Sequence, residues 1–285
     1  MQPLFEHRLT LAGYETRALE LEGEGPPLLL LHGWADSADT WRLLLDHLGR
    51  IDRRALALDL PGFGTAAPLR DDEPVLEQLD SFCEAALRYA APAGGAVIVG
   101  NSLGGCVALR AAERPELELA GVVPVAPAGL DMARWFVLVE RDPVVRWLLA
   151  SPIPLPGPVV RAAVAEVYRR LAFRRPGSID PQVVSTFASH LASKEGAGRV
   201  LAIGRRLLPE LRYCLRLERI SCPVLLVWGR QDLLVFQTGA ERVIESAPDA
   251  RLELIDDCGH CPQLECPDRL HDLLIDFPAR LVRAA

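Results

Sequence analysis

The sequence predicts an α/β protein: a mostly parallel sheet of eight strands, helices on both faces, and an all-helical block inserted late in the series. Three observations lead there. Short apolar runs rich in leucine and β-branched residues alternate with amphipathic helical stretches over short connections, as in parallel strands joined by crossover helices. That alternation stops between residues 129 and 219, where helical periodicity continues without a convincing strand. It resumes at Pro223-Val224-Leu225-Leu226-Val227-Trp228.

Each element has its own signal. Residues 4–11 and 14–21 alternate polar and apolar around Ala12-Gly13, which predicts an antiparallel hairpin. Residues 27–31 form a continuous apolar run of buried-strand character, ending in His32-Gly33-Trp34. A helix follows over 38–48, with Trp41, Leu44, Leu45 and Leu48 on one face. The fourth strand, 54–58, ends in Asp59-Leu60-Pro61-Gly62-Phe63-Gly64, a loop by its proline and glycine content. Pro74 suits the first turn of a helix reaching about residue 89. A strand at 96–99, a glycine-rich turn, a helix over 106–112 and a strand at 121–125 come next. The inserted block carries helical patterns at 133–149, 159–173, 181–193 and 199–217, broken by a proline-rich stretch at 151–158. A helix at 237–246, a strand at 251–255 and a last helix from about 264 complete the chain. The organisation expected is a core in two parts, 1–128 and 220–285, with residues 129–219 as a cap over one edge of the sheet.

Composition narrows the class. The chain has 285 residues, half of them hydrophobic, enough for one large domain with an insertion. A net charge of -7 argues against general nucleic-acid binding. No run of about 18 apolar residues predicts a membrane span. The segment Met1-Gln2-Pro3-Leu4-Phe5-Glu6-His7-Arg8 lacks the basic and apolar parts of a secretory signal. Seven cysteines, an odd number, fit a reducing cytoplasm with mostly buried thiols. Cys258, His260, Cys261 and Cys266 form the one cluster suggestive of a metal, but no second ligand pair stands at zinc spacing. Neither metal nor cofactor is expected.

The chemistry-bearing stretch is Gly100-Asn101-Ser102-Leu103-Gly104-Gly105. It is a G-x-S-x-G pattern between a strand and a helix, where a sharp turn holds the serine strained with its hydroxyl exposed. Side chains at the two glycines would collide across such a turn. With His32-Gly33-Trp34, Asp59 to Gly64, Trp228-Gly229-Arg230-Gln231-Asp232 and Cys258-Gly259-His260, it resembles the α/β-hydrolase family over nearly the whole chain. Each motif falls at the carboxyl end of a predicted strand, where parallel sheets place their ligand sites.

The resemblance implies Ser102 as nucleophile, His260 as its base, and Asp232 as the acid that orients the histidine, in the family's chain order. Asp131 and the pair Asp256-Asp257 are rivals for the acid. Oxyanion donors would be the backbone amides of Trp34 and Leu103. His32 is expected to organise its loop; His7 lies in the hairpin, and His47, His190 and His271 read as surface or packing residues. Gly33, Trp34, Trp135 and Phe136 are candidate substrate contacts. Trp147, Phe173 and Phe187 could line an acyl pocket or pack the cap. The inserted block carries fourteen arginines and Lys194 against eight carboxylates. That excess is either solvated helix surface or an attraction for anionic substrates.

The implied activity is cofactor-free cleavage of a carboxylic ester of small or medium size. One alternative is carbon-carbon bond hydrolysis of dienoate ring-cleavage products, whose enzymes share the Gly-Asn-Ser-Leu-Gly-Gly turn. Those relatives carry tryptophan after the histidine, where this chain has Cys261. Epoxide hydrolases and dehalogenases of the usual kind use aspartate at the position of Ser102 and are disfavoured. A non-catalytic binding module on the same fold is a further alternative. Oligomeric state is left open.

Overall fold

A computed structural model describes residues 2–132, 157–179, 194–247 and 249–284. Eight strands form one sheet in the order β1-β2-β4-β3-β5-β6-β7-β8. They are β1 (Leu4–Leu11), β2 (Tyr14–Leu21), β3 (Glu24–Leu31), β4 (Arg53–Leu58), β5 (Val97–Asn101), β6 (Gly121–Val125), β7 (Val224–Gly229) and β8 (Ala250–Ile255). β1 and β2 pair antiparallel, as do β2 and β4, and the remaining pairs are parallel. In the hairpin Leu11 faces Tyr14 across a two-residue loop. Ala12 and Gly13 both have positive φ there, the loop geometry that matches strand twist.

The strand alternation explains the two-sided packing. Leu29, Leu31, Ile98 and Leu226 point to one core with α2 (Val75–Ala90) and α3 (Leu103–Ala112). Leu28, Leu30, Val97, Val99 and Leu225 point to the other, with α1 (Arg42–Arg50) and α8 (Pro267–Ala284). Side chains reverse face every residue, so continuous apolar strands require cover on both sides. Each fully buried leucine contributes about 1.5–3 kcal/mol relative to exposure.

Several boundaries differ from expectation for local reasons. A 3-10 turn, Ala38–Trp41, precedes α1. Helix α3 starts at Leu103, directly after the serine, three residues before the expected start. The last helix is two, α7 (Pro262–Glu265) and α8, with Cys266 between them. Proline at 267 disfavours helical geometry in the residue before it, which produces the break.

Between β6 and β7 the described residues hold α4 (Gly157–Ala172) and α5 (Lys194–Glu210), flanked by short 3-10 turns. Helix α5 runs through Pro209 and ends at Glu210, well before residue 217. The expected helices at 133–149 and 181–193 lie outside the described residues, with Trp135, Phe136, Trp147, Phe187 and His190. Helix α6 is Ala240–Ser246. Among the described residues no helix is long and apolar enough to cross a membrane.

The insertion is fastened to the core by polar side chains. Glu210 accepts the amides of Val75 and Leu76 at 2.9 and 2.8 Å, capping α2, whose own N-cap Pro74 has no side-chain acceptor. Arg206 donates to the carbonyls of Arg70 and Glu73. Both contacts hold α5 against the loop that leads into α2.

Candidate active site

Strand β5 ends at Asn101 and α3 begins at Leu103, so Ser102 must reverse the chain in a single residue. It does so with φ 52° and ψ -108°, a conformation costing about 1–3 kcal/mol that persists only when its surroundings impose it. Those surroundings are a lattice of backbone bonds. The Ser102 amide donates to Val125 O at 2.9 Å, and its carbonyl accepts the amides of Cys106 and Ala128. A Cβ on Gly100 would stand 2.1 Å from Gly104 O, and one on Gly104 would stand 2.2 Å from Leu31 O. The turn therefore closes only with glycine at both positions.

The end of β3 is drawn to the same place. The Gly104 amide donates to His32 O at 3.1 Å. A Cβ on Gly33 would lie 3.4 Å from the Ser102 Cβ, so the Gly33 backbone borders the serine directly. Leu103, the first residue of α3, is where helix amides lack intrahelical acceptors. The Trp34 side chain packs with Ala35, Val200 of α5 and Tyr168 of α4, at the junction of core and insertion.

His32 is fully buried and held from both ring nitrogens. Nε2 accepts the Leu60 amide at 2.8 Å, so the proton is on Nδ1, which faces Gly33 O at 2.7 Å. It organises the loop, as expected. Asp59 serves the same scaffold, accepting from Arg17, the Ala38 amide and the Thr65 amide. Burial would push its carboxyl up, but the Arg17 guanidinium and these amides outweigh burial and hold it below the ordinary carboxylate value.

Asp232 and His260 come from the loops after β7 and β8. The two loops touch backbone to backbone, since a Cβ on Gly229 would stand 2.0 Å from Gly259 O. Asp232 Oδ2 lies 2.7 Å from His260 Nδ1, with both side chains almost wholly buried. Asp232 Oδ1 accepts the amides of Leu234 and Val235, at 2.7 and 3.1 Å. The rival acids are engaged elsewhere: Asp131 with Thr238, Asp256 with Arg230 and Asp257 with Arg175. His7 pairs with Glu20, while His47 and His271 pack against each other near Asp268 and Asp272.

Three residues make contacts at the site that the motifs do not foretell. Asn101, beside the serine, donates from Nδ2 to His260 O at 3.0 Å and to Val125 O at 3.3 Å. It ties the serine turn to the histidine loop. Ala172, ending α4, accepts the His260 amide at 2.8 Å. Glu265 accepts the Gly259 amide at 2.6 Å. Phe173, a candidate pocket residue, is buried among Ala172, Ile179, Cys261 and Leu264 and packs the insertion onto the core.

Cys258, Cys261 and Cys266 are free thiols. The Cys261 sulfur lies 3.7 Å from the Tyr168 hydroxyl, and burial pushes this thiol well up. Among the described residues no group of three or more His, Cys, Asp and Glu is arranged to hold a metal ion.

The chain has counterparts among known proteins. A model of the alpha/beta hydrolase family matches residues 28–273. The chain belongs to that family. This α/β hydrolase is 27% identical over 272 residues to the monoacylglycerol lipase ABHD6 of Bos taurus, covering 90% of this chain and 76% of the relative. It is 30% identical over 266 residues to the pimeloyl-(acyl-carrier protein) methyl ester esterase of Xanthomonas campestris pv. campestris (strain B100), covering 92% and 99% of the two chains. Among solved structures, the 2-hydroxy-6-oxo-6-phenylhexa-2,4-dienoate hydrolase of Rhodococcus sp. strain RHA1 superposes with a TM-score of 0.78 at 21% identity, covering 97% and 99%. At that identity the likeness carries the fold.

Proposed function

We propose that this hydrolase cleaves carboxylic esters of small or medium size through an acyl-enzyme on Ser102. A serine hydroxyl is a poor nucleophile at neutral pH and needs an adjacent base. In this reading His260 Nε2 takes the Ser102 proton as the oxygen attacks the ester carbonyl. Asp232 holds the opposite nitrogen, which fixes the tautomer and stabilises the imidazolium. The backbone amides of Trp34 and Leu103 receive the negative charge of the tetrahedral intermediate, each lowering the barrier by about 3 kcal/mol. His260 then protonates the departing alcohol and activates the water that releases the acid.

The observation that carries the proposal is the 2.7 Å contact from Asp232 to a buried His260 on a loop bonded to the serine turn. An ester substrate is supported by the esterase and lipase among its relatives. Residues 129–219 would form the cap over the site, with Gly33 and Trp34 bordering the substrate and Trp135 and Phe136 supplied by the cap. Seven free thiols fit a reducing, cytoplasmic setting.

An ester series of increasing acyl length, beside a vinylogous diketone acid and with Ser102→Ala as control, tests the reading. Short esters are expected to turn over and Ser102→Ala to be inert while folded. Cleavage of the diketone acid without ester turnover would assign the carbon-carbon reaction instead. A folded protein that neither turns over nor reacts with an organophosphonate would be a binding module.

A further inference from the structure

The histidine loop and the end of α4 meet backbone to backbone. A Cβ on Gly259 would stand 2.6 Å from Ala172 O and 2.9 Å from Arg174 N. The His260 amide already donates to Ala172 O. Glu265, the last residue of α7, reaches the same junction with both carboxylate oxygens. Oε2 accepts the Gly259 amide at 2.6 Å. Oε1 accepts the Arg174 amide at 2.8 Å and the Arg175 amide at 3.2 Å. The Cys258 thiol adds a longer contact to Oε2 at 3.9 Å.

One carboxylate thus serves donors on two segments far apart in sequence. Charge-assisted bonds of this kind are about twice as strong as neutral ones. Burial pushes the Glu265 carboxyl up, and the amides it accepts pull it back. No neutral side chain of this length offers acceptors at both ends, because glutamine replaces one oxygen with a donor.

We propose that Glu265 is a positioning residue for His260: by clasping the Gly259 amide to the Arg174 and Arg175 amides, it makes the docked end of α4 set the orientation of the imidazole. The proposal rests on the reading of His260 as the base. Glu265 touches no reacting atom. It acts on the residue preceding the histidine, while Asp232 acts on the ring. The insertion thereby becomes part of the catalytic scaffold as well as a cover for the site.

Glu265→Gln in the full chain is the test, with Glu253→Gln, at an exposed ion pair with Arg269, as control. A loosened histidine loop is expected to lower kcat by about 10- to 100-fold, the usual consequence of misplacing a catalytic group by an ångström or less. KM should stay within about twofold, because the Gln variant leaves Ser102 and the β3 loop intact. The downfield proton resonance of His260 Nδ1, bonded to Asp232, should shift or broaden in Glu265→Gln and stay fixed in Glu253→Gln. A lowered Tm with kcat and this resonance unchanged would mean that Glu265 only stabilises the fold, and would overturn the proposal. Amide hydrogen exchange on the unaltered protein gives a second reading: Gly259, Arg174 and Arg175 are expected to exchange slowly together, and fast exchange at any of them counts against the clasp. The resonance and exchange data need no substrate. A wild-type protein inert toward esters would therefore remove the ester reading while leaving the clasp decided on its own.

Discussion

Asp232 divides its carboxylate between two tasks, one oxygen meeting His260 Nδ1 at 2.7 Å and the other accepting the amides of Leu234 and Val235. The second set of bonds fixes the plane of the carboxylate, so the first is aimed by the backbone of its own turn. Asp232→Asn can keep the two amide bonds through its remaining oxygen. Its nitrogen then faces His260 Nδ1 and favours the opposite tautomer, which leaves Nε2 protonated and unable to accept from serine. We expect kcat to fall by about 10³- to 10⁴-fold with little change in Tm. Steady-state kinetics beside a melting curve checks this; a variant within tenfold of wild type would show that another carboxylate orients the histidine.

The serine turn makes a sharper structural prediction. Ala at Gly100 would put a methyl group 2.1 Å from Gly104 O, and both atoms are locked into the sheet and helix. Gly95, outside the turn and in the left-handed region at φ 78°, has nothing within 4 Å of where its Cβ would stand. Gly95→Ala should cost about 1–2 kcal/mol, the strain of the conformation itself. Gly100→Ala should cost more than about 4 kcal/mol or prevent folding. At about 2–4 °C of Tm per kcal/mol, thermal melts of the two variants separate the effects. Equal losses would mean that the turn relaxes around the added methyl.

The strands were legible because apolar runs such as Leu28 to Leu31 admit few other fates. The serine turn was legible because G-x-S-x-G reports a steric requirement. The resemblance implied Asp232 as the acid; that its carboxylate meets His260 Nδ1 while Asp131, Asp256 and Asp257 bond other side chains is a matter of space that sequence spacing does not carry. The clasps were not legible. Glu265 to Arg174, Asn101 to His260 and Glu210 to Val75 span 91, 159 and 135 residues. Each joins a side chain to a backbone group, and a backbone amide or carbonyl carries no residue-specific mark. In the insertion, helical periodicity gave α4 and α5 but not what their ends grip.

The loop after Trp34 carries a pH-dependent element. Asp36 is 7% exposed; its Oδ1 accepts the Ser37 amide at 2.8 Å, and Thr40 bonds the carboxyl as well. Burial pushes its pKa up to about 7, opposed by the Ser37 and Thr40 bonds and assisted by the negative charges of Asp39 and Asp59. An unfolded aspartate titrates near 3.9, so between about pH 4 and 7 the folded state binds more protons than the unfolded one. The stabilisation is then complete below the unfolded pKa and is lost as pH rises through the folded value. Asp36→Asn keeps an acceptor for the Ser37 amide and cannot ionise. The Tm of the variant minus that of the wild type should be near zero at pH 4 and grow to several degrees by about pH 8, given about 2–4 °C per kcal/mol. Titrations common to both proteins cancel in that difference, so calorimetry of the pair across the range reads Asp36 itself. Parallel Tm curves would place the carboxylate in contact with water and sink the assignment.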